Sequence, residues 1–260
     1  IPLPDEFYRG ITKPRGKQKI YIKGGKRIDA GEKGLLKRIH DSAWAWDLFQ
    51  GPIYNRLIGP AAADYFSNLA GRLEKEVNAG ATPVQILDVG AGAGTMGLLL
   101  ARTLPSPAIT GIDYSPGQVR AAQEMKRKSG LDNCRFQLGN AMDIPFADES
   151  FDLVISVNSI KHWPDPVRGL AEIRRVLRPR SRAFIAEVDR NTSPAGLREF
   201  ADKYCAWYVW PPVMRWCLRN VVFGNSYTAG EVTNFACRAG FSTVSLQEVP
   251  GPFFLIVLTK

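Results

Sequence analysis

The segment ILDVGAGAGTMG, residues 86–97, decides the fold that this sequence predicts. It combines an apolar run typical of a buried strand, an acidic residue at the end of that run, a glycine-rich turn and the start of a helix. Gly90, Gly92 and Gly94 allow a sharp turn and a close approach of the backbone to a ligand, because a side chain would clash or exclude the φ values required. The helix start offers N–H groups and partial positive charge, which suit a carboxylate or a phosphate.

The glycine spacing alone leaves two ligand classes open. Gly92, Gly94 and Gly97 also match the GxGxxG pattern of dinucleotide-binding proteins, which is a weak signal by itself. Asp88 lies beside the turn, where its charge would repel a pyrophosphate and attract an amino group. The position of Asp88 therefore favours a ligand that carries a positive charge.

The chain beyond this segment alternates short apolar runs with stretches of helical length, which is typical of an α/β fold. Two predicted helices begin with a capping residue followed by proline, at Ser115-Pro116 and at Asp165-Pro166. The last two strands are separated by a turn too short for a parallel crossover, so we expect them to be antiparallel. The predicted strands are 84–89, 108–113, 134–138, 151–157, 183–188, 242–249 and 253–259.

Residues 84–190 resemble the core of class I S-adenosylmethionine-dependent methyltransferases, in particular the branch related to ubiquinone and menaquinone biosynthesis. The resemblance implies a Rossmann-like, doubly wound α/β sheet of seven strands in the order 3-2-1-4-5-7-6, with the last strand antiparallel. It implies S-adenosylmethionine as cofactor, S-adenosylhomocysteine as product and no metal. The motifs that carry the resemblance are DVGAGAG at 88–94, GIDYSPGQV at 111–119, GNAMDIPFADESFDLV at 139–154 and EIRRVLRPRSRAFIAEV at 172–188.

The resemblance also implies a set of cofactor-binding residues. Asp113 would accept hydrogen bonds from both ribose hydroxyls, a geometry that suits two carboxylate oxygens. Tyr114 and Met142 would flank the adenine, and the amide oxygen of Asn140 would accept from the adenine amino group, where relatives carry aspartate. Taken singly, Asp113 also fits a strand-end cap and Asn140 a turn residue. The full predicted set is Asp88, Gly90, Ala91, Gly92, Gly94, Asp113, Tyr114, Asn140, Ala141, Met142 and Asn158.

The sequence RPRSR at 178–182 departs from the Pro-Gly-Gly turn that is usual in this family. Arginine and serine rarely adopt the backbone angles that are open to glycine. We therefore expect this turn to take different dihedral angles, and it adds three arginines to one edge of the protein.

The acceptor site is predicted next to residues 158–163, because ligands of open α/β sheets bind outside the carboxyl ends of the strands. His162 is the candidate general base for an acceptor that must lose a proton, with a structural role as the alternative. His40, the only other histidine, is a weaker candidate. The residues predicted to contact the acceptor are His162, Trp163, Tyr204, Trp207 and Tyr208.

Two domains are predicted, a basic N-terminal arm with cofactor-covering helices at 1–80 and a methyltransferase core at 81–260. Within the core, the aromatic-rich insertion at about 194–227 is predicted to form a helical cap. Such a cap favours a hydrophobic or aromatic small molecule as acceptor. A packed lid or a dimer face is the alternative for this insertion.

The formal charge of +9 is concentrated between Arg9 and Arg38. This stretch contains eleven lysines and arginines and only two acidic residues, Asp29 and Glu32. This stretch would attract an anionic substrate, an anionic membrane surface or nucleic acid, unless it is only a solvated arm. A nucleic-acid methyltransferase is the alternative function, disfavoured because NSIKHWPDP at 158–166 lacks an Asn-Pro-Pro-Tyr-type signature. A cofactor-binding partner protein without catalysis is the other alternative.

The cysteine pattern and the hydropathy favour a cytoplasmic protein. The four cysteines show no CxxC pair, which suits reduced thiols better than a disulfide framework or a zinc site. Apolar runs stay shorter than the roughly 18 to 20 residues of a membrane-spanning helix.

Overall fold

The computed structural model describes residues 63–78, 84–104, 107–204, 224–247, 249 and 251–260. The basic arm, His40, Trp207 and Tyr208 lie outside the described residues, and so does most of the predicted cap. Of Tyr204 the structure describes the backbone, which ends a helix.

A seven-stranded sheet forms the centre of the described fold. The strands are β1 (Gln85–Val89), β2 (Ala108–Asp113), β3 (Cys134–Leu138), β4 (Phe151–Val157), β5 (Leu177–Val188), β6 (Thr243–Gln247) and β7 (Phe253–Thr259). Their order is β3-β2-β1-β4-β5-β7-β6, which confirms the predicted topology. The first five strands run parallel to one another, whereas β7 is antiparallel to both β5 and β6.

Helices cover both faces of the sheet, and local capping explains where several of them begin. The Ser115 hydroxyl accepts from the N–H of Gln118 at 3.1 Å, and the Asp165 carboxylate accepts from the N–H of Arg168 at 3.0 Å. The helices are α1 (Ala63–Asn78), α2 (Thr95–Thr103), α3 (Pro116–Ser129), α4 (Pro166–Val176), α5 (Pro194–Tyr204) and α6 (Ala229–Arg238). None of these helices is both long and apolar enough to cross a membrane.

Two hydrophobic cores lie on opposite sides of the sheet, because successive side chains of a strand point to opposite faces. Ile86 belongs to the core that contains Leu73 of α1, and Leu87 to the core that contains Leu170 of α4. All four side chains are fully buried. Both faces of the sheet are thus covered, which leaves the carboxyl ends of the parallel strands as the place for a site.

The RPRSR segment is part of β5, so the strand begins six residues earlier than the sequence predicted. Residues 178–181 form an irregularity between the pairs Phe151–Leu177 and Leu153–Arg182. Arg180 has a φ of 65°, in the left-handed region that favours glycine, so the expectation of different dihedral angles is wrong at this position. Lys260 holds the irregular segment, because its Nζ donates to the Leu177 carbonyl at 2.6 Å.

Replacing Arg180 by glycine is expected to stabilise the protein. The left-handed conformation costs a non-glycine residue about 1–2 kcal/mol, and glycine removes this cost. The greater freedom of glycine in the unfolded chain cancels part of the gain. We expect a gain of about 0.5–1 kcal/mol in the free energy of unfolding, measured by urea denaturation. Arg182→Gly is the matched control, since Arg182 lies in the regular part of β5, and it should lower stability.

Candidate active site

The three glycines of the turn after β1 serve different purposes. Gly90, Gly92 and Gly94 have φ values of 76°, 54° and 83°, which favour glycine at each position. A Cβ on Gly90 would lie 1.9 Å from the Ser159 Oγ, and one on Gly94 would lie 2.9 Å from the ring of Phe136. A Cβ on Gly92 would find its nearest neighbour 3.8 Å away. Gly90 and Gly94 therefore pack against protein, and Gly92 leaves room for a ligand.

Asp113 at the end of β2 connects three parts of the site. Its Oδ2 accepts from the N–H of Gly92 at 2.8 Å, and its Oδ1 accepts from the N–H of Ser115 at 2.9 Å. Its backbone carbonyl accepts from the N–H of Gly139 at 3.0 Å. The carboxylate is thus fixed between the glycine turn and the start of α3, half-buried and next to the open side of Gly92. Its predicted contact with the ribose stays a prediction.

Asp88 at the end of β1 is almost completely buried, with 1% of its surface exposed. Burial raises the pKa of Asp88 to about 7, and the negative charge of Asp113 adds to the rise. The backbone amide of Gly97 acts in the opposite direction. A nearby cation would lower this pKa again. The predicted contact between Asp88 and an amino group stays a prediction.

The raised pKa of Asp88 predicts a pH-dependent stability of the ligand-free protein. The folded state keeps the Asp88 proton up to about pH 7, whereas the unfolded chain releases it near pH 4. The contribution of the protonated carboxyl to the free energy of unfolding is therefore complete below pH 4 and is lost as the pH rises to about 7. Asp88→Asn removes the titration. Its stability relative to the wild type should rise by roughly 2 kcal/mol or more between pH 4.5 and pH 8 in urea denaturation. An equal stability difference between Asp88→Asn and the wild type at pH 4.5 and at pH 8 would contradict the raised pKa of Asp88.

The residues predicted around the adenine lie at the ends of β2 and β3. Tyr114 and Met142 are partly exposed, and Ala141 is buried. The amide oxygen of Asn140 accepts from the N–H of Met142 at 3.0 Å. Asn140 thus acts as a turn residue in this structure, and its predicted contact with adenine stays a prediction.

The 158–163 segment follows β4 and contains a 3₁₀ helix, Ile160–His162. Asn158 has a φ of 54° and donates its backbone N–H to the Ala186 carbonyl of β5 at 2.8 Å. His162 is partly exposed at the end of this short helix, on the side of the sheet where the acceptor is predicted. Its role as a base is a prediction.

The side chain of Trp163 packs against Ser159 and against α4. Its side chain is 6% exposed, and its indole N–H donates to the Ser159 Oγ at 3.0 Å. Its ring lies so close to α4 that a Cβ on Gly169 would come within 2.4 Å of it. These contacts favour a structural role for Trp163, and its contact with an acceptor stays a prediction.

Two residues that position the turn were absent from the predicted site. Gly111, inside β2, faces Phe136, and a Cβ there would lie 2.4 Å from the Phe136 ring and 2.9 Å from the Ala91 Cβ. A glycine in the interior of a strand is a signal for such close approach. Ser159 packs against Gly90 from 69 positions away in the sequence, and no local pattern indicates that contact.

The sheet order, the glycine turn and the carboxylate one strand later together define the class I S-adenosylmethionine-dependent methyltransferase fold. A methyltransferase domain family matches residues 82–240, more than half of the 260 residues, and the chain belongs to this family. The solved structure of a SAM-dependent methyltransferase from Aquifex aeolicus has the same fold, with a TM-score of 0.52 and 20% identity. That likeness covers 75% of this chain and 97% of the other.

Curated relatives are similar over part of their length. An O-methyltransferase of Penicillium expansum, cnsE, is 38% identical over 133 residues, which cover 50% of this chain and 48% of the relative. The chloroplastic 2-methyl-6-phytyl-1,4-hydroquinone methyltransferase of Arabidopsis thaliana is 38% identical over 95 residues, which cover 36% of this chain and 27% of the relative. The chain thus matches about half of the first relative and about a quarter of the second.

Proposed function

We propose that this chain transfers the methyl group of S-adenosylmethionine to an O, N or C atom of a small hydrophobic or aromatic acceptor. The observation that carries the proposal is the pairing of Gly92 and Asp113 at the carboxyl ends of β1 and β2. Gly92 leaves room beside the backbone, and its backbone nitrogen lies 2.8 Å from the Asp113 Oδ2, to which the Gly92 N–H donates. An adenosyl group fits this pair, because its ribose hydroxyls donate to a carboxylate and its chain passes close to a glycine turn.

S-adenosylmethionine, when bound, supplies a methyl group on a sulfonium, which needs no further activation. The chain has to hold the acceptor atom in line with that methyl group, at roughly 3–3.5 Å, and to keep water away. The ring of His162 would take the proton of a hydroxyl or amino acceptor at one of its nitrogens. An acceptor that binds without that proton requires no base.

The acceptor class is supported by an aromatic cluster at the carboxyl end of the sheet. The rings of Tyr65 and Phe253 are stacked with centroids 3.8 Å apart, and Phe200 meets Phe253 edge-on at 5.8 Å. Phe253 pairs with Val188, the last residue of β5, so the cluster lies at the edge where ligands bind. Tyr65 and Phe200 are buried, and Phe253 is half-buried. The name of one curated relative, a 2-methyl-6-phytyl-1,4-hydroquinone methyltransferase, supports an aromatic acceptor, and the name of the other supports an oxygen atom as the methylated atom.

The proposal is tested by calorimetry with S-adenosylhomocysteine and by a screen with S-adenosylmethionine labelled in its methyl group. The screen compares hydroquinones and phenols, small aliphatic amines, and RNA. We expect saturable binding of S-adenosylhomocysteine and label transfer to members of the phenolic group. Folded protein that does not bind S-adenosylhomocysteine would contradict the cofactor, and transfer to RNA alone would contradict the acceptor class.

A further inference from the structure

Lys161 and Glu187 form a buried ion pair at the carboxyl end of the sheet. Lys161 lies in the 3₁₀ helix after β4, and Glu187 is the penultimate residue of β5. The Lys161 Nζ is 2.7 Å from the Glu187 Oε1, and the two side chains are 7% and 0% exposed. The same oxygen accepts from the N–H of Val188 at 3.0 Å. The other oxygen, Oε2, is buried and has no hydrogen-bond partner among the described residues.

Stability alone does not account for this ion pair. Burial removes both charges from water, and their attraction offsets that cost only when the remaining polar atoms are also hydrogen-bonded. Among the described residues, hydrogen bonds reach one of the two Glu187 carboxylate oxygens, Oε1. Two apolar side chains of similar volume would stabilise the site at least as well. The pair is better explained by the segment that it holds in place.

That segment is 158–163, which contacts both sides of the site. Ser159 packs against Gly90 of the glycine turn. On the other side, the N–H of Asn158 donates to β5, and Lys161 reaches Glu187 of the same strand. The segment therefore connects the glycine turn to β5. It also contains His162, which is predicted to lie at the acceptor site.

We propose that Lys161 and Glu187 are positioning residues that hold the 158–163 segment in place for methyl transfer, an inference that rests on the proposed function. The pair acts through the segment. Without it, the segment loses its side-chain link to β5 and keeps the backbone hydrogen bond from the Asn158 N–H to the Ala186 carbonyl, whereas Asp113 and the glycine turn keep their own hydrogen bonds. The expected consequence is a larger loss in kcat than in cofactor affinity. Asn158 is the member of the predicted cofactor-binding set in this segment and keeps its backbone bond to β5, whereas a small displacement of His162 is costly in the transition state.

The test compares Lys161→Met with the double variant Lys161→Met/Glu187→Leu. The single variant leaves a buried unpaired carboxylate and should melt well below the wild type, whereas the double variant should melt within about 3 °C of it. In the double variant bound to S-adenosylhomocysteine, we expect backbone amides of residues 158–163 to exchange with deuterium at least about 10-fold faster than in the wild type. Lys128→Met, which breaks an exposed pair with Glu124, is the matched control and should change none of these measurements.

The kcat for methyl transfer is the measurement that would stay unchanged if the ion pair had a purely structural role. With an acceptor from the screen, the stable double variant should lose about 10-fold or more in kcat while its KM for S-adenosylmethionine stays within about 3-fold. A double variant with wild-type exchange in the segment would overturn the proposal, and so would wild-type kcat. If the wild-type chain transfers no methyl group, the proposed function fails, and the exchange measurement still decides whether the pair holds the segment.

Discussion

Replacement of Asp113 by alanine is expected to weaken the binding of S-adenosylhomocysteine by about 100-fold or more. Two hydrogen bonds from ribose hydroxyls to a carboxylate would be lost, each contributing about 1.5–3 kcal/mol. The same change removes the acceptors that hold the N–H groups of Gly92 and Ser115. The loss therefore includes preorganisation of the turn as well as direct contacts. Isothermal titration calorimetry with S-adenosylhomocysteine measures the effect.

The control for this measurement is Asp132→Ala, which removes an exposed carboxylate from the loop before β3. It should bind S-adenosylhomocysteine with wild-type affinity. Circular dichroism and thermal melting of the Asp113→Ala variant separate lost binding from lost folding. A folded variant whose dissociation constant changes less than about threefold would contradict the assignment of Asp113 to the ribose, because even one charged hydrogen bond contributes more than that.

Local signals explain why most boundaries of the fold were predictable. The pairs Ser115-Pro116 and Asp165-Pro166 each combine a side-chain cap with a proline at the first helical position, and both helices begin there. The apolar run of β7 was bounded by a Pro-Gly-Pro turn, and the strand spans the predicted residues. The order of the seven strands came from the family resemblance, since no local pattern specifies which strands become neighbours.

The start of β5 and the surroundings of the glycine turn depend on contacts between distant parts of the chain. Arg178 pairs with Asp152 of β4, and Lys260, which directly follows β7, binds the Leu177 carbonyl. The irregular start of β5 is therefore held by contacts with β4 and with the end of β7. Glu187 lies in the part of β5 where all residues from 183 to 188 are buried, and no local pattern identifies a lysine of the 3₁₀ helix after β4 as its partner. Sequence patterns thus predicted the boundaries of strands and helices better than the contacts between distant parts of the chain.

The second large effect is expected for Gly90→Ala, which should destabilise the protein by about 3 kcal/mol or more. A φ of 76° costs alanine about 1–2 kcal/mol, and the new Cβ would lie 1.9 Å from the Ser159 Oγ, so either the turn or the 158–163 segment must move. Gly130→Ala is the matched control, because Gly130 has a φ of 64° and a Cβ there would meet nothing within 4 Å. It should lose only the backbone contribution, about 1 kcal/mol.

A double-mutant cycle with Ser159→Gly isolates the steric part of the Gly90→Ala effect. Removing the Ser159 side chain takes away the colliding atom, although it also removes the acceptor of the Trp163 indole N–H, so the single variant Ser159→Gly has to be measured as well. Urea denaturation of the four proteins should give a favourable coupling of about 1–2 kcal/mol between the two changes. If Gly90→Ala and Gly130→Ala cost the same and the coupling is zero, the close contact between the glycine turn and the 158–163 segment is wrong. The connection from the glycine turn through the 158–163 segment to β5 would then also be wrong, because this connection depends on the contact between Gly90 and Ser159.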